Sequence, residues 1–274
     1  MSDALSEARY PGEPRYSQLP TADEFATLDL EGVERVWTAS HANASDWTFV
    51  FAGDFDVDEF TELAGAYLGS LPGTNSIDEP IDVSNPPPAG VVDVDVNAGT
   101  GDSAVATMLF TTDTGPLTET LRAEIDVAQQ VIDARLTEVV REEFGESYSP
   151  FAQVTHIRDP ELVMTITVSV TGAPDRMQQV IDLVTGELND LATNGPTPDE
   201  FDLSFAQVAE AHQFVNNGEF VEELINDALY PDHDIVSYVF GDLGLDDVSE
   251  ASVQSFIAEH APIDQYIVVT GLPR

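Results

Sequence analysis

Hydrophobic positions along this chain recur with two different periods. Over 118–143, Leu121, Ile125, Ala128, Ile132, Leu136 and Val139 return every three or four residues, which predicts an amphipathic helix. Met177, Val180, Ile181, Val184, Leu188 and Leu191 predict a second helix over 174–192. Thr197, Pro198 and Glu200 make a capping box with proline at the first helical position. The helix that opens there carries Phe201, Phe205, Val208, His212 and Val215 along one face. Asp56 and Glu59 open another ahead of Phe60, Leu63, Ala64 and Tyr67. The stretch LVMTITVSVTG (162–172) alternates instead. Leu162, Met164, Ile166, Val168 and Val170 are separated mostly by Thr and Ser, which predicts a half-buried strand with one polar face. WTFVFAG (47–53) and QYIVVTG (265–271) are short, nearly continuous apolar runs, which predict strands covered on both faces.

Those last two runs belong to a repeat. Tyr10-Pro11 leads through a helical segment and His41-Ala42 to the run ending at Gly53. Tyr230-Pro231 leads through a helical segment and His260-Ala261 to the run ending at Gly271. An offset of about 220 residues indicates duplicated domains rather than a solenoid of short repeats. The second copy has a long upstream part, 90–229, whereas only residues 1–9 precede the Tyr-Pro of the first. The predicted fold class is therefore α+β: two similar domains in tandem, each a mixed, mostly antiparallel sheet with helices packed on it. Residues 1–79 are read as the C-terminal part of a truncated first domain and 90–274 as a complete second one. Residues 80–89 are a proline-rich linker, because Pro86, Pro87 and Pro88 suit neither a helix nor a central strand.

Composition adds an unusual surface. The apolar fraction is 42%, enough for a core, but 51 Asp and Glu face nine basic residues, all of them Arg. The acids are spread along the chain rather than gathered into a tail, which predicts a folded protein with an acidic skin. Such a surface is expected in a protein adapted to high salt, where a Debye length of about 3 Å at molar ionic strength silences self-repulsion. Binding to nucleic acid is disfavoured, since no basic patch exists to release counterions. No run of about 18 apolar residues is present, so no membrane span is expected. The N-terminal MSDALSEARYPGEPRY lacks the basic and apolar regions of a signal peptide.

Several chemistries have no support. There is no Cys, no G-x-S-x-G and no glycine-rich phosphate loop. The five His, at 41, 156, 212, 233 and 260, include no H-E-x-x-H or H-x-x-E-H pair, so no metal site and no catalytic base are expected in this chain. Asp93, Asp95 and Asn97, like Asp54, Asp56 and Asp58, start as a calcium loop does. Both strings lack the later glycine and the closing glutamate, so they are read as a polar strand edge and a helix cap.

The remaining signal is REEFGESYSP, 141–150. Locally, Arg141 is a cation suited to the last turn of a helix, Gly145 a C-terminal cap, and Tyr148 the approach to a strand. Together with DWTFVFAGDFDVDEFTELAGAYLGSLPG (46–73), RLTEVVREEFGESYSP (135–150) and NGPTPDEF (194–201), it resembles the C-terminal half of zinc peptidases of the pitrilysin/insulinase superfamily, especially the bacterial insulinase-like type. The resemblance runs from Arg9 over nearly the whole chain. It implies the mitochondrial-processing-peptidase-like metallohydrolase fold, in which two homologous halves close over a peptide. Zinc is then a cofactor of the N-terminal half, which is missing here or supplied by a partner. The C-terminal half supplies an Arg and, seven residues later, a Tyr that hold the substrate backbone and its oxyanion; these match Arg141 and Tyr148. The expected partners are a zinc-bearing N-terminal half or homologous subunit, and a peptide substrate. The chain alone is expected to be inactive. A non-catalytic scaffold or peptide-binding subunit is the alternative. The resemblance also carries an exported or periplasmic setting as an expectation.

Overall fold

The computed structural model describes residues 1–13, 20–77, 86–99, 102–145, 148–157, 162–211, 217–230, 235–236 and 244–273. The helices are α1 (Ser2–Arg9), α2 (Ala22–Ala26), α3 (Leu30–His41), α4 (Val57–Tyr67), α5 (Glu119–Phe144), α6 (Met177–Asn194), α7 (Pro198–Ala211), α8 (Asn217–Leu229) and α9 (Glu250–His260). The strands are β1 (Val91–Gly99), β2 (Ala104–Asp113), β3 (Ser149–Ile157), β4 (Val163–Gly172) and β5 (Tyr266–Pro273). They fall into a larger unit, residues 1–18, 84–215 and 236–274, and a smaller one, residues 19–83 and 216–235.

In the larger unit the strands form one mixed sheet in the order β1-β5-β2-β4-β3. β1 runs parallel to β5, and the other neighbours are antiparallel. The alternation read in 162–172 is realised in β4, where Met164, Ile166, Val168 and Val170 enter the core between half-buried Thr and Ser. Opposite them, β2 turns in Ala104, Ala106, Met108 and Phe110. Val127, Val131, Ile132 and Leu136 of α5, Val180, Val184 and Leu188 of α6, and Val253 and Ile257 of α9 join the same core. β5 is the apolar run predicted at 265–271; Ile267, Val268 and Val269 are all buried, with strands along both of its edges and α1 packed against it. The mixed α+β class expected from the sequence is the observed one.

Both edges of this sheet are closed to further pairing. Edge strand β1 shows solvent Asp93, Asp95 and Asn97, a row of polar groups that repels an incoming strand. Edge strand β3 has two N–H groups taken by α5: Ala152 N donates to Asp133 Oδ1 at 2.9 Å and Val154 N to Gln129 Oε1 at 2.8 Å. α1 packs against β1 and β5.

His260, at the end of α9, is buried with its ring on Phe256, and its Nδ1 lies 2.6 Å from Thr112 Oγ1 of β2. Burial holds its imidazole below the ordinary pKa, against the smaller pull of the Glu259 carboxylate. The folded protein thus binds fewer protons than the unfolded chain just below the ordinary value, so this contribution is complete above about pH 6.5 and is lost as pH falls. We expect the stability advantage of the wild type over His260→Asn to shrink between about pH 7.5 and about pH 5.5. Thermal unfolding of both proteins across that range measures it.

The smaller unit departs from expectation. Asp56 caps α4 as predicted, accepting from Glu59 N at 2.9 Å. Asn43 ties the turn after α3 to residues 74–76, accepting from Thr74 N at 3.0 Å and donating to Ser76 O at 3.0 Å. However, the strand predicted at 47–53 is not formed. Those residues join no ladder among the described residues. A strand is held by its neighbours, and α2, α3 and α4 around this run offer none. Positions His212 and Val215 of the third predicted helix, His233, and residues 80–85 of the predicted linker lie outside the described residues.

Candidate functional site

α5 carries the candidate site at its C-terminal end. Thr118 caps its start, accepting from Leu121 N at 3.1 Å. Val131, Ile132, Leu136 and Val140 hold its apolar face against the sheet. Arg135, on another side of the same helix, is a clamp. Its guanidinium makes a bidentate pair with Glu200 at the start of α7, and Nη1 lies 3.1 Å from both Glu187 and Asp190 of α6. Glu200 also closes the α7 capping box, accepting from Thr197 N at 2.8 Å. One arginine thereby locks three helices.

The Arg135 guanidinium holds the Glu200 carboxyl at about 2, well below the ordinary carboxylate value, and Thr197 lowers it further. Glu200 therefore contributes stability that is complete above its unfolded value, about pH 4.5, and is lost as pH falls toward about 2. Replacing Arg135 by alanine leaves three carboxylates facing one another, and we expect it to cost about 3 kcal/mol or more of unfolding free energy. Denaturant unfolding at neutral pH checks the loss. Restoring neutrality with Arg135→Met and Glu200→Gln together should recover part of it.

Beyond Arg135 the helix runs six residues, about 9 Å, to Arg141. Val140 beside it is buried, whereas Arg141 is exposed and makes no ion pair among the described residues. Gly145 ends the helix with φ +95, a conformation open to glycine, and its N–H closes on Arg141 O at 2.8 Å. Tyr148 N then donates to Gly145 O at 3.2 Å, and β3 begins. Glu146, between the two candidate residues, lies outside the described residues.

Tyr148 is placed very differently from Arg141. Its ring is buried against Phe144, with centroids 5.2 Å apart, and it lies so close over Gly172 that a side chain there would overlap it. The Arg176 guanidinium sits 4.2 Å above the other ring of this stack, Phe144. The Tyr148 hydroxyl is buried with no hydrogen-bond partner among the described residues. Thus the fold brings Arg141 and Tyr148 to one helix-to-strand corner, with the guanidinium in solvent and the phenol inside, and no hydrogen bond joins them. Phe144, Gly172 and Arg176, which pack the corner, were not singled out in the sequence. Phe144 stands four residues before Tyr148 across the glycine cap, a spacing from which the contact could have been read.

No three His, Asp or Glu side chains converge on a point that would hold a metal ion among the described residues.

Comparison with solved structures gives the fold a class. Over its whole length the chain superposes on the periplasmic protease PqqL from Escherichia coli (TM-score 0.81, 16% identity, 30% of that chain). It also matches the ferredoxin protease FusC, solved as a mutant in complex with Arabidopsis ferredoxin (TM-score 0.79, 17% identity, all of this chain and 30% of that one). A peptidase M16 inactive domain from Pseudomonas fluorescens matches at TM-score 0.76 and 18% identity, over all of this chain and 65% of that one. The chain thus spans about a third of the longer of these proteins. These likenesses define a protease-type α+β fold. The peptidase M16 inactive domain family matches residues 37–208, and the chain belongs to that family. No curated protein matches it significantly in sequence.

Proposed function

We propose that this chain is the metal-free, C-terminal-type half of an insulinase-like zinc metallopeptidase, and that it holds the backbone of a peptide substrate for a zinc-bearing half or homologous subunit. The observation that carries the reading is the corner at 141–148 in a chain of the M16 inactive domain family. Arg141 there keeps its guanidinium in solvent, uncommitted to any of the neighbouring acids among the described residues. A free, planar guanidinium donates to a peptide carbonyl, and its charge offsets the negative charge that gathers on that oxygen during attack. Tyr148 supplies a second donor once its hydroxyl turns out of the core. A buried hydroxyl without a partner costs about 1–3 kcal/mol, which favours such a turn toward any acceptor. PqqL is a periplasmic protease, and an exported, high-salt setting is part of the same proposal.

The buried phenol also favours a second reading, in which the chain is a non-catalytic scaffold for the zinc-bearing subunit and Tyr148 serves only packing. Co-incubating the chain with the polypeptide that carries H-x-x-E-H, in multi-molar KCl, separates the two through cleavage of a fluorogenic peptide. Cleavage that requires both chains and is lost in Arg141→Ala supports the first reading. Cleavage indifferent to Arg141 and Tyr148 supports the second.

A further inference from the structure

Gly172, the last residue of β4, is a glycine whose backbone does not require one. It pairs with Ala104, and its φ lies outside the left-handed region. Glycine weakens a strand, and where it stands in one it often marks a close approach of another group. Here that group is a single ring. The three atoms nearest to a Cβ placed at 172 are Cε1, Cδ1 and Cζ of Tyr148. The register brings the two together: Ser149 pairs with Thr171, and Tyr148 and Gly172 are the next step along the same ladder.

The result is a seat for the phenol. Gly172 is its floor and Phe144 its wall, with ring centroids 5.2 Å apart. Phe144 is half-buried and carries the Arg176 guanidinium 4.2 Å from its centroid. Arg176 Nε donates to Gln179 Oε1 at 3.2 Å, and the side chain makes no ion pair among the described residues. A scarce cation thus serves a ring in a chain where acids abound. The seat suits the ring and not the hydroxyl. Tyr148 is 3% exposed, and its hydroxyl has no partner among the described residues. Burial of the ring favours the seated position, burial of an unpaired hydroxyl opposes it, and the two effects are of the same order. A seated and a turned-out position of the phenol therefore lie close in free energy.

We propose that Gly172, Phe144 and Arg176 are positioning residues that store the Tyr148 phenol in the free chain, and that a peptide substrate draws it out to the corner beside Arg141. The inference rests on the proposed function and assigns Tyr148 two positions. Only the turned-out fraction engages substrate productively, so kcat/KM scales with that fraction. A Cβ at 172 removes the seat. Gly172→Ala should therefore hold the phenol out and raise the activity of the paired chains, although it lowers stability.

Two measurements in multi-molar KCl test this. The first is nitration of the isolated full chain by tetranitromethane, with the modified tyrosines mapped by mass spectrometry. Tyr67, which is 71% exposed, is the internal reference. In wild type, Tyr148 should react about tenfold or more slowly than Tyr67, and in Gly172→Ala nearly as fast. Amide protection at Val268 and Val269 confirms that the variant is folded. Phe144→Ala, at a half-buried position, should shift the rate in the same direction and carries the test if Gly172→Ala does not fold. The second is peptide cleavage by each variant mixed with the H-x-x-E-H-bearing polypeptide. Its kcat/KM should rise by the same factor as the nitration rate, and adding Tyr148→Phe should abolish the gain, which a purely structural role for the seat would not produce. Wild-type Tyr148 as reactive as Tyr67, or a freed Tyr148 without a rise in kcat/KM, overturns the inference, and loss of cleavage in Arg141→Ala then leaves the proposed function standing. Cleavage indifferent to both Arg141 and Tyr148, or no cleavage by any mixture, overturns both.

Discussion

Mixtures containing Arg141→Ala should hydrolyse peptide with kcat/KM lowered about a hundredfold or more, because one preorganised donor to a developing oxyanion is typically worth that much. The isolated variant should unfold within a degree or two of wild type. Arg141 is exposed and unpaired among the described residues, and a surface substitution of that kind changes stability by about 0.5 kcal/mol at most. Tyr148→Phe makes the complementary case. The hydroxyl is buried without a partner among the described residues, so its removal should leave the isolated chain unchanged or slightly more stable. A fall in paired activity by this variant then reports a lost donor and not a damaged fold. If both variants support wild-type hydrolysis while pairing normally, the corner at 141–148 is structural. Arg141→Lys sharpens the test. It keeps the charge and loses the planar fork, so partial recovery of kcat with a raised KM is expected.

The unfolding temperature should rise on the order of 10 °C or more between dilute buffer and multi-molar KCl. The net charge is −42, and nine arginines cannot neutralise it. Three carboxylates already share Arg135, and most of the other acids among the described residues are exposed. In dilute buffer their repulsion acts across the whole surface. Salt shortens its reach to about 3 Å at 1 M and removes most of it. The effect should track ionic strength more than ion identity and should persist in Arg141→Ala. Equal unfolding temperatures in both media would contradict adaptation to high salt.

Much of the larger unit is legible in the residues themselves. The period-two run at 162–172 and the helical stripes at 118–143 and 174–192 became β4, α5 and α6, because in each the local period agrees with the face that is buried. The continuous run at 265–271 became the interior strand β5, flanked by β1 and β2. Its twin at 47–53 carries the same apolar signal and forms no strand, since pairing is decided by neighbours and not by the run. The pairing of Arg141 with Tyr148 at one corner was readable from the helix, the glycine cap and the strand. The burial of the phenol was not. It depends on Gly172, which meets Tyr148 because β3 pairs with β4. The Arg135 clamp was likewise hidden, because its three acids come from two other helices.

The central proposal is that this chain serves as the C-terminal-type half of a peptidase whose zinc is held by another half. Titrating it into a fixed amount of the zinc-bearing polypeptide, in multi-molar KCl with a fluorogenic peptide, tests that claim most directly. The account predicts no hydrolysis by this chain alone and a rate that climbs with its concentration to a plateau near equimolar mixing. Hydrolysis by this chain alone, or a rate set by the zinc-bearing polypeptide and untouched by the titration, would contradict it.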